Sequence, residues 1–262
     1  MKYSHNYNVI LDNMDLYEYR LRPISAIMYL QDAFARLCGT KMIAAYDLFV
    51  HNLIWVVGEF NIEFLDKLPY WSEEITIEIW ISEITKLKIY ADYRLYYKNK
   101  VFAQGDSCWF LLDNNTKRPV KTDIAKEKFE ICDEKVFGEH KKFIPETKLE
   151  KASEINHKNN LSDIDFNKHV NNKSYLNLAE ATATNEFKKT HSLKSLYIRF
   201  NRESFLDDIL NCSSYRTDIP NTYVHEITKD GVNICDIQTS WLDKTISSES
   251  IVDYDLSVRA EK

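Results

Sequence analysis

Glycine and proline are both scarce, with five of each in 262 residues. So little of either argues against a low-complexity linker and against a glycine-rich phosphate loop, and hence against nucleotide binding by that route. Cysteine is sparse too. Cys38, Cys108, Cys132, Cys212 and Cys235 form an odd set without a C-x-x-C pair, which disfavours a disulfide framework and a zinc site and predicts reduced thiols filling the core. Long apolar runs are missing: stretches such as Leu53 to Val57 fall far short of a bilayer span. The N-terminus has no charged-apolar-small signal pattern, so a cytoplasmic protein is expected. Positive charge is in deficit, and a formal net charge of −6 argues against a nucleic-acid binder with a basic footprint. What is present is core material: 44% hydrophobic and 13% aromatic residues suffice for one large domain or two small ones.

Helical spacing of Ile27, Leu30, Phe34 and Leu37 predicts a helix from Ser25, as N-cap, to Gly39. Met28 and Ala33 lie off that stripe, so the helix should be buried on more than one side. From Leu53 the period changes to two. Ile75, Ile77, Ile79 and Ile81 alternate with Thr76, Glu78, Trp80 and Ser82, the pattern of a half-buried strand. Further strands are expected at Lys88 to Tyr97 and Val101 to Leu112, joined by a turn at Lys98-Asn99-Lys100 and ended by Asp113-Asn114-Asn115.

Residues Lys121 to Asn160 are rich in Lys and Glu, with Pro145 and the scattered apolar Phe129, Ile131, Phe137 and Phe143. This is the expected linker, parts of it packed on a surface. After it the order of elements repeats: a helix to about Phe187, then strands at Ser195 to Phe200, Ile209 to Thr217, Thr222 to Thr228 and Gly231 to Leu242, with Asp230-Gly231 as a hairpin turn. Phe64 matches Phe200, Ile75 matches Ile209 and Trp109 matches Trp241 at nearly constant separation, and Tyr29 matches Tyr175 at a slightly larger one. The chain therefore reads as an α+β protein with two copies of one unit, an antiparallel sheet curling round a central helix. The expected divisions are 1–125, a linker 126–160, and 161–262.

One polar stretch, 163–176, carries the chemistry. If it is extended, Asp165, Asn167 and His169 project to one side, and Asn171 or Asn172 caps the helix that follows. Asp163 reads as a turn former. The D-x-D-x-N run opening at Asp163 resembles the start of a calcium loop, but Lys168 stands where that loop needs glycine and Ser174 where it needs glutamate. No metal or cofactor is expected. With Tyr29 set on Tyr175, the first copy places Tyr19, Leu21 and Pro23 opposite Asp165, Asn167 and His169, and so cannot perform the same chemistry.

Asp165-Phe166-Asn167-Lys168-His169-Val170-Asn171-Asn172 resembles the D-x-N-x-H-V-N-N signature of acyl-[acyl carrier protein] thioesterases, the plant plastid enzymes and their bacterial relatives. Arg199-Phe200-Asn201-Arg202-Glu203-Ser204 resembles that family's second motif, where an acidic residue precedes a cysteine. Trp55, Leu68-Pro69-Tyr70-Trp71 and Ser107-Cys108-Trp109-Phe110 extend the resemblance over the first half. It implies a tandem hotdog fold and hydrolysis of fatty acyl-[acyl carrier protein] in fatty acid biosynthesis.

The family's catalytic positions fall on Asp165, Asn167, His169 and Glu203, and its cysteine falls on Ser204. A thiol ionises near neutral pH and a serine hydroxyl does not, so Ser204 is either a base-activated nucleophile or a residue that orients its neighbours. His169 can move a proton to the departing thiolate, with Glu203 orienting it or serving as base. Asn167 offers a donor to the oxyanion, an interaction worth roughly 3 to 4 kcal/mol of barrier. Asp165 is either the attacking carboxylate or the base for water. Met28, Tyr29, Phe34 and Trp71 are expected in the core, with the lining of an acyl tunnel as the alternative. The implied partner is acyl carrier protein with its phosphopantetheine arm, met by Lys173, Lys188, Lys189, Lys194, Arg199 and Arg202. An acyl-CoA thioesterase and a non-catalytic acyl-thioester-binding hotdog protein are the alternatives, and monomer and homodimer both remain open.

Overall fold

The computed structural model describes residues 1–140, 145–165 and 167–244. Phe143 and Phe166, named above, lie outside them. The described strands are β1 (Tyr3–Asn8), β2 (Leu53–Phe64), β3 (Glu74–Ile84), β4 (Ile89–Tyr97), β5 (Lys100–Asp113), β6 (Lys151–Lys158), β7 (His191–Phe200), β8 (Ile209–Arg216), β9 (Thr222–Lys229) and β10 (Val232–Asp243). They form one continuous antiparallel sheet in the order β1-β3-β4-β5-β2-β7-β10-β9-β8-β6. Read inward from either edge, the two halves are the same list: β1, β3, β4, β5, β2 answer to β6, β8, β9, β10, β7. The repeat found in the sequence is thus a repeat of topology.

The halves join at β2 and β7, where Glu59 faces Arg199, Asn61 faces Tyr197 and Glu63 faces Ser195. Phe64 and Phe200 are counterparts, so this register is symmetric about the Asn61–Tyr197 pair, an approximate two-fold axis through the middle of the sheet.

Each half wraps a helix. In the first, α1 (Ala26–Thr40) buries Ile27, Leu30, Phe34 and Leu37, and also Ala33 and Cys38, as its apolar residues on several sides require. Two expected ends of this helix differ. Ser25 forms no side-chain cap, because a 3-10 turn at Pro23–Ser25 launches the helix and leaves the Ser25 hydroxyl buried. Gly39 lies inside the helix, which runs on to Thr40, whose hydroxyl donates to the Leu37 carbonyl at 2.7 Å. A short α2 (Ala45–Phe49) follows. In the second half α4 (Asn172–Ala181) occupies the place of α1, after α3 (Asp123–Lys128) and before α5 (Asn185–Thr190).

The isoleucines of β3 are buried as their alternation predicts, each contributing on the order of 1.5–3 kcal/mol of burial. Trp80 and Ser82, expected on an exposed face, are buried as well. The cover is the segment after α3. Trp80 Nε1 donates to the Glu134 carbonyl at 2.6 Å, Cys132 N–H to the Ile81 carbonyl at 2.9 Å, and Val136 N–H to Asp92 at 2.8 Å. The stretch 126–160 is therefore more than a connector: its first part covers the first unit, and 151–158 forms edge strand β6 against β8. Both tight turns hold left-handed conformations, at Lys98-Asn99 and at Asp230-Gly231, which Asn99, Asp230 and Gly231 accommodate readily. All five cysteines are free thiols, four of them buried. Among the described residues no helix is long and apolar enough to cross a membrane.

Candidate active site

Asp165, Asn167 and His169 share one tight turn and not the extended strand expected. Asp165 N–H donates to the His169 carbonyl at 2.8 Å, and the isolated bridge between Ile164 and Val170 closes the loop into a tight turn. Asp165 Oδ1 shapes that turn by accepting the N–H groups of Asn167 (2.8 Å) and His169 (3.2 Å). Lys168 takes a left-handed φ of 67° at its apex. Side-chain acceptors within reach of the local backbone override β-alternation, which is why face-counting failed here. Asn167 is exposed on the turn, and His169 is half-buried behind it.

Asp163 anchors the turn from below. Its carbonyl accepts Asn171 N–H at 2.7 Å, and its carboxylate accepts Asn160 N–H at 2.9 Å and lies 2.8 Å from His157 Nε2. Burial would raise the Asp163 pKa, but the Asn160 N–H and His157 outweigh it and hold the group below its ordinary value. Nothing in the sequence alone singled out His157. Asn171 caps α4 by accepting Lys173 N–H at 2.9 Å, as expected.

Glu203 arrives from the loop after β7. Its Oε1 stands 3.6 Å from His169 Nδ1, and Phe205 meets the His169 ring edge-on at 5.3 Å. Ser204 faces the other way. It is fully buried, its hydroxyl 2.7 Å from that of Tyr175, while its carbonyl accepts Val170 N–H at 2.9 Å and so fastens the residue next to His169. Burial raises the Tyr175 pKa, keeping its hydroxyl protonated.

The first unit holds a related turn, one residue longer and shifted from the sequence alignment. Asp15 Oδ1 accepts the N–H groups of Tyr17 (2.7 Å) and Glu18 (3.0 Å), and Asp15 N–H donates to the Arg20 carbonyl at 2.7 Å. Leu21 N–H donates to the Pro69 carbonyl as Val170 N–H does to that of Ser204. The counterparts of Asp165, His169 and Glu203 are therefore Asp15, Arg20 and Leu68; Tyr19, Leu21 and Pro23 are not the matching residues. The inserted turn Pro23–Ser25 displaces the match that Tyr29 and Tyr175 define within the helices. Arg20 donates to the Leu68 carbonyl and the Tyr70 hydroxyl, both at 2.7 Å, and lies over the Tyr70 ring. A permanently charged guanidinium cannot shuttle protons, so Arg20 cannot act as an acid–base group where His169 could.

The cationic residues near the motifs do not form one patch. Arg199 is tied to Asp236 at 2.7 Å, Lys189 to Glu186 at 3.0 Å, and Lys188 lines a separate cleft. Phe34 is core, whereas Trp71 is exposed.

Two matching sets of five strands, each wrapped on a helix, define a tandem hotdog protein with an acid–histidine turn in the second unit and an arginine turn in the first. The sequence matches the acyl-ACP thioesterase N-terminal domain over residues 1–131 and the C-terminal domain over 146–243. The chain belongs to the acyl-ACP thioesterase family. It is 29% identical over 191 residues to oleoyl-acyl carrier protein thioesterase 2 of Arabidopsis thaliana, covering 68% of this chain and 51% of that protein. To the palmitoyl-acyl carrier protein thioesterase of the same plant it is 25% identical over 231 residues, covering 80% and 55%. The chain thus spans about half the length of the curated relatives it matches. Two solved structures share the fold: an acyl-ACP thioesterase of Bacteroides thetaiotaomicron (TM-score 0.81, 21% identity, 92% of this chain and 98% of that one) and the 12:0-ACP thioesterase of Umbellularia californica (TM-score 0.79, 15% identity, 93% and 98%).

Proposed function

We propose that this chain hydrolyses the thioester of fatty acyl-[acyl carrier protein], releasing a free fatty acid. The observation that carries the reading is the His169–Glu203 pair set beside the Asp165 turn, in a chain of this family. With Nδ1 directed at Glu203, Nε2 is the atom left to hand a proton to the departing thiolate. Asp165 Oδ1 is engaged by two backbone N–H groups, so Oδ2 is the oxygen that takes the proton from attacking water. Asn167, exposed on the same turn, donates to the oxyanion. Ser204, buried against Tyr175, positions Val170 and does not attack. Residues 161–262 supply the catalytic groups and 1–125 the binding half. Five free thiols fit a reducing compartment, and we place the protein in the cytoplasm.

Steady-state hydrolysis of acyl-[acyl carrier protein] over a range of chain lengths tests this. Asp165→Asn retains an oxygen to accept both turn N–H groups but loses the charge, so its turnover should fall by about 10²-fold or more, as should that of His169→Ala. Inert wild type, or full activity in both variants, refutes the assignment. Faster cleavage of the same acyl group on coenzyme A would replace the carrier, and tight binding without turnover would make the protein an acyl sensor.

A further inference from the structure

A cleft of the second unit is lined by none of Asp165, Asn167, His169, Glu203 or Ser204. About 740 Å³ of space lies within it when the open solvent at its mouth is counted, and the enclosed part is about 60 Å³. Its apolar wall comes from the second unit, through Leu176, Leu193, Leu196 and Trp241, and the arginine turn of the first unit closes it with Leu21 and Leu68. By the two-fold relation this is the counterpart of the space between the His169 turn and α1.

The two places differ at one residue of the helix. In the first, Phe34 stacks on Trp109 with centroids 3.8 Å apart and planes at 3°. The surroundings of that tryptophan recur: Trp109 Nε1 donates to Ser107, bonded in turn to buried Tyr93, and Trp241 Nε1 donates to Thr239, bonded in turn to buried His225. Matching Tyr29 with Tyr175 along the helices sets Ala33 on Ala179 and Phe34 on Glu180. Glu180 turns away to an ion pair with Arg22. Phe187 meets the Trp241 ring at right angles, centroids 5.4 Å apart, and among the described residues no ring stacks on Trp241 as Phe34 stacks on Trp109, so a slot opens beside it.

The rim carries charge of both signs, mostly compensated. Glu180 is held by Arg22, Glu18 by Lys244 at 2.6 Å, and His191 by Asp243 at 2.7 Å, while Asp15 faces the N–H groups of its own turn. Among the described residues no hydrogen bond or ion pair holds the Lys188 ammonium at the same rim.

We infer that this slot binds a fatty acid without transforming it, the alkyl chain lying against Leu176, Leu196 and Trp241 and the carboxylate meeting Lys188. Arg20 and Leu68 stand where His169 and Glu203 stand in the other half, so a ligand here is held and not cleaved. The inference stands whether or not His169 supports turnover.

Decanoate below its micelle concentration is the probe, titrated by calorimetry and by the NMR signal of the Trp241 indole N–H. Binding should shift that signal. Glu180→Phe, which rebuilds the stack of the first unit, should weaken binding at least about tenfold, and Lys188→Glu, at a half-buried position of the rim and with folding checked by an unchanged Tm, by about tenfold. Decanol should bind wild type about tenfold more weakly than decanoate. No binding, binding that leaves the Trp241 signal unmoved, or affinity unaltered by Lys188→Glu overturns the inference.

Discussion

His225 ties acid stability to the interior of the second unit. Its side chain is buried between α4 and the sheet, with Nε2 2.9 Å from Thr239 Oγ1 and Nδ1 3.3 Å from Thr182 Oγ1. Both neighbours are neutral, so nothing offsets the cost of charging the ring, and burial lowers its pKa from 6.5 to about 4. The sign follows directly. Below pH 6.5 the unfolded chain takes up a proton that the folded chain refuses until about pH 4, so stability falls as the pH drops through that window. The contribution is whole above 6.5 and gone below about 4, and the gap corresponds to about 3 kcal/mol. Against a total on the order of 5–15 kcal/mol that loss is large. His225→Gln keeps a neutral polar group and removes the titration. Urea denaturation of both proteins at intervals from pH 7 to 4 should show the wild type losing about 3 kcal/mol more than the variant. Equal losses in the two would refute the reasoning.

Ser204→Ala should keep hydrolytic turnover within about threefold of wild type while lowering stability by about 1–3 kcal/mol, because the buried Tyr175 hydroxyl loses its partner; kinetics and denaturation of one variant check both, and loss of turnover by orders of magnitude would make Ser204 the nucleophile. Gly105→Ala should prise β5 from β2: an added Cβ would meet the Asn61 carbonyl oxygen at 2.3 Å, and overpacking there costs about 1–3 kcal/mol, read as a lowered Tm. An unchanged Tm would mean the strands separate there without cost.

Strands with a buried face were legible in the sequence, since Ile75 to Ile81 alternate, and so were the turns at Lys98-Asn99 and Asp230-Gly231, where Asn99, Asp230 and Gly231 tolerate left-handed backbone. The edges were not. β6 buries little of any residue and carries lysine at both ends, a composition that protects an edge and resembles a linker. β1 does alternate, with Tyr3, His5 and Tyr7 on one face, but its polar residues mask the period. Trp80 and Ser82 looked solvent-facing because their cover comes from a distant segment, invisible to any local window. The arrangement of the candidate residues was not legible: Asp165 bonds its own backbone, and a side-chain acceptor sets the turn more strongly than alternation does. The counterpart of the site was missed by a few residues because an inserted 3-10 turn breaks the spacing between turn and helix.

The Asn61–Tyr197 pair marks the axis of a molecule whose two halves are covalently one. Had two identical chains met along that seam, every change to one turn would have been written into both. Arg20 could not have replaced a histidine on one side without erasing His169 on the other. Joined in a single chain, the halves are inherited separately, position by position, and a loss in one is free to become a different property while its twin keeps the original.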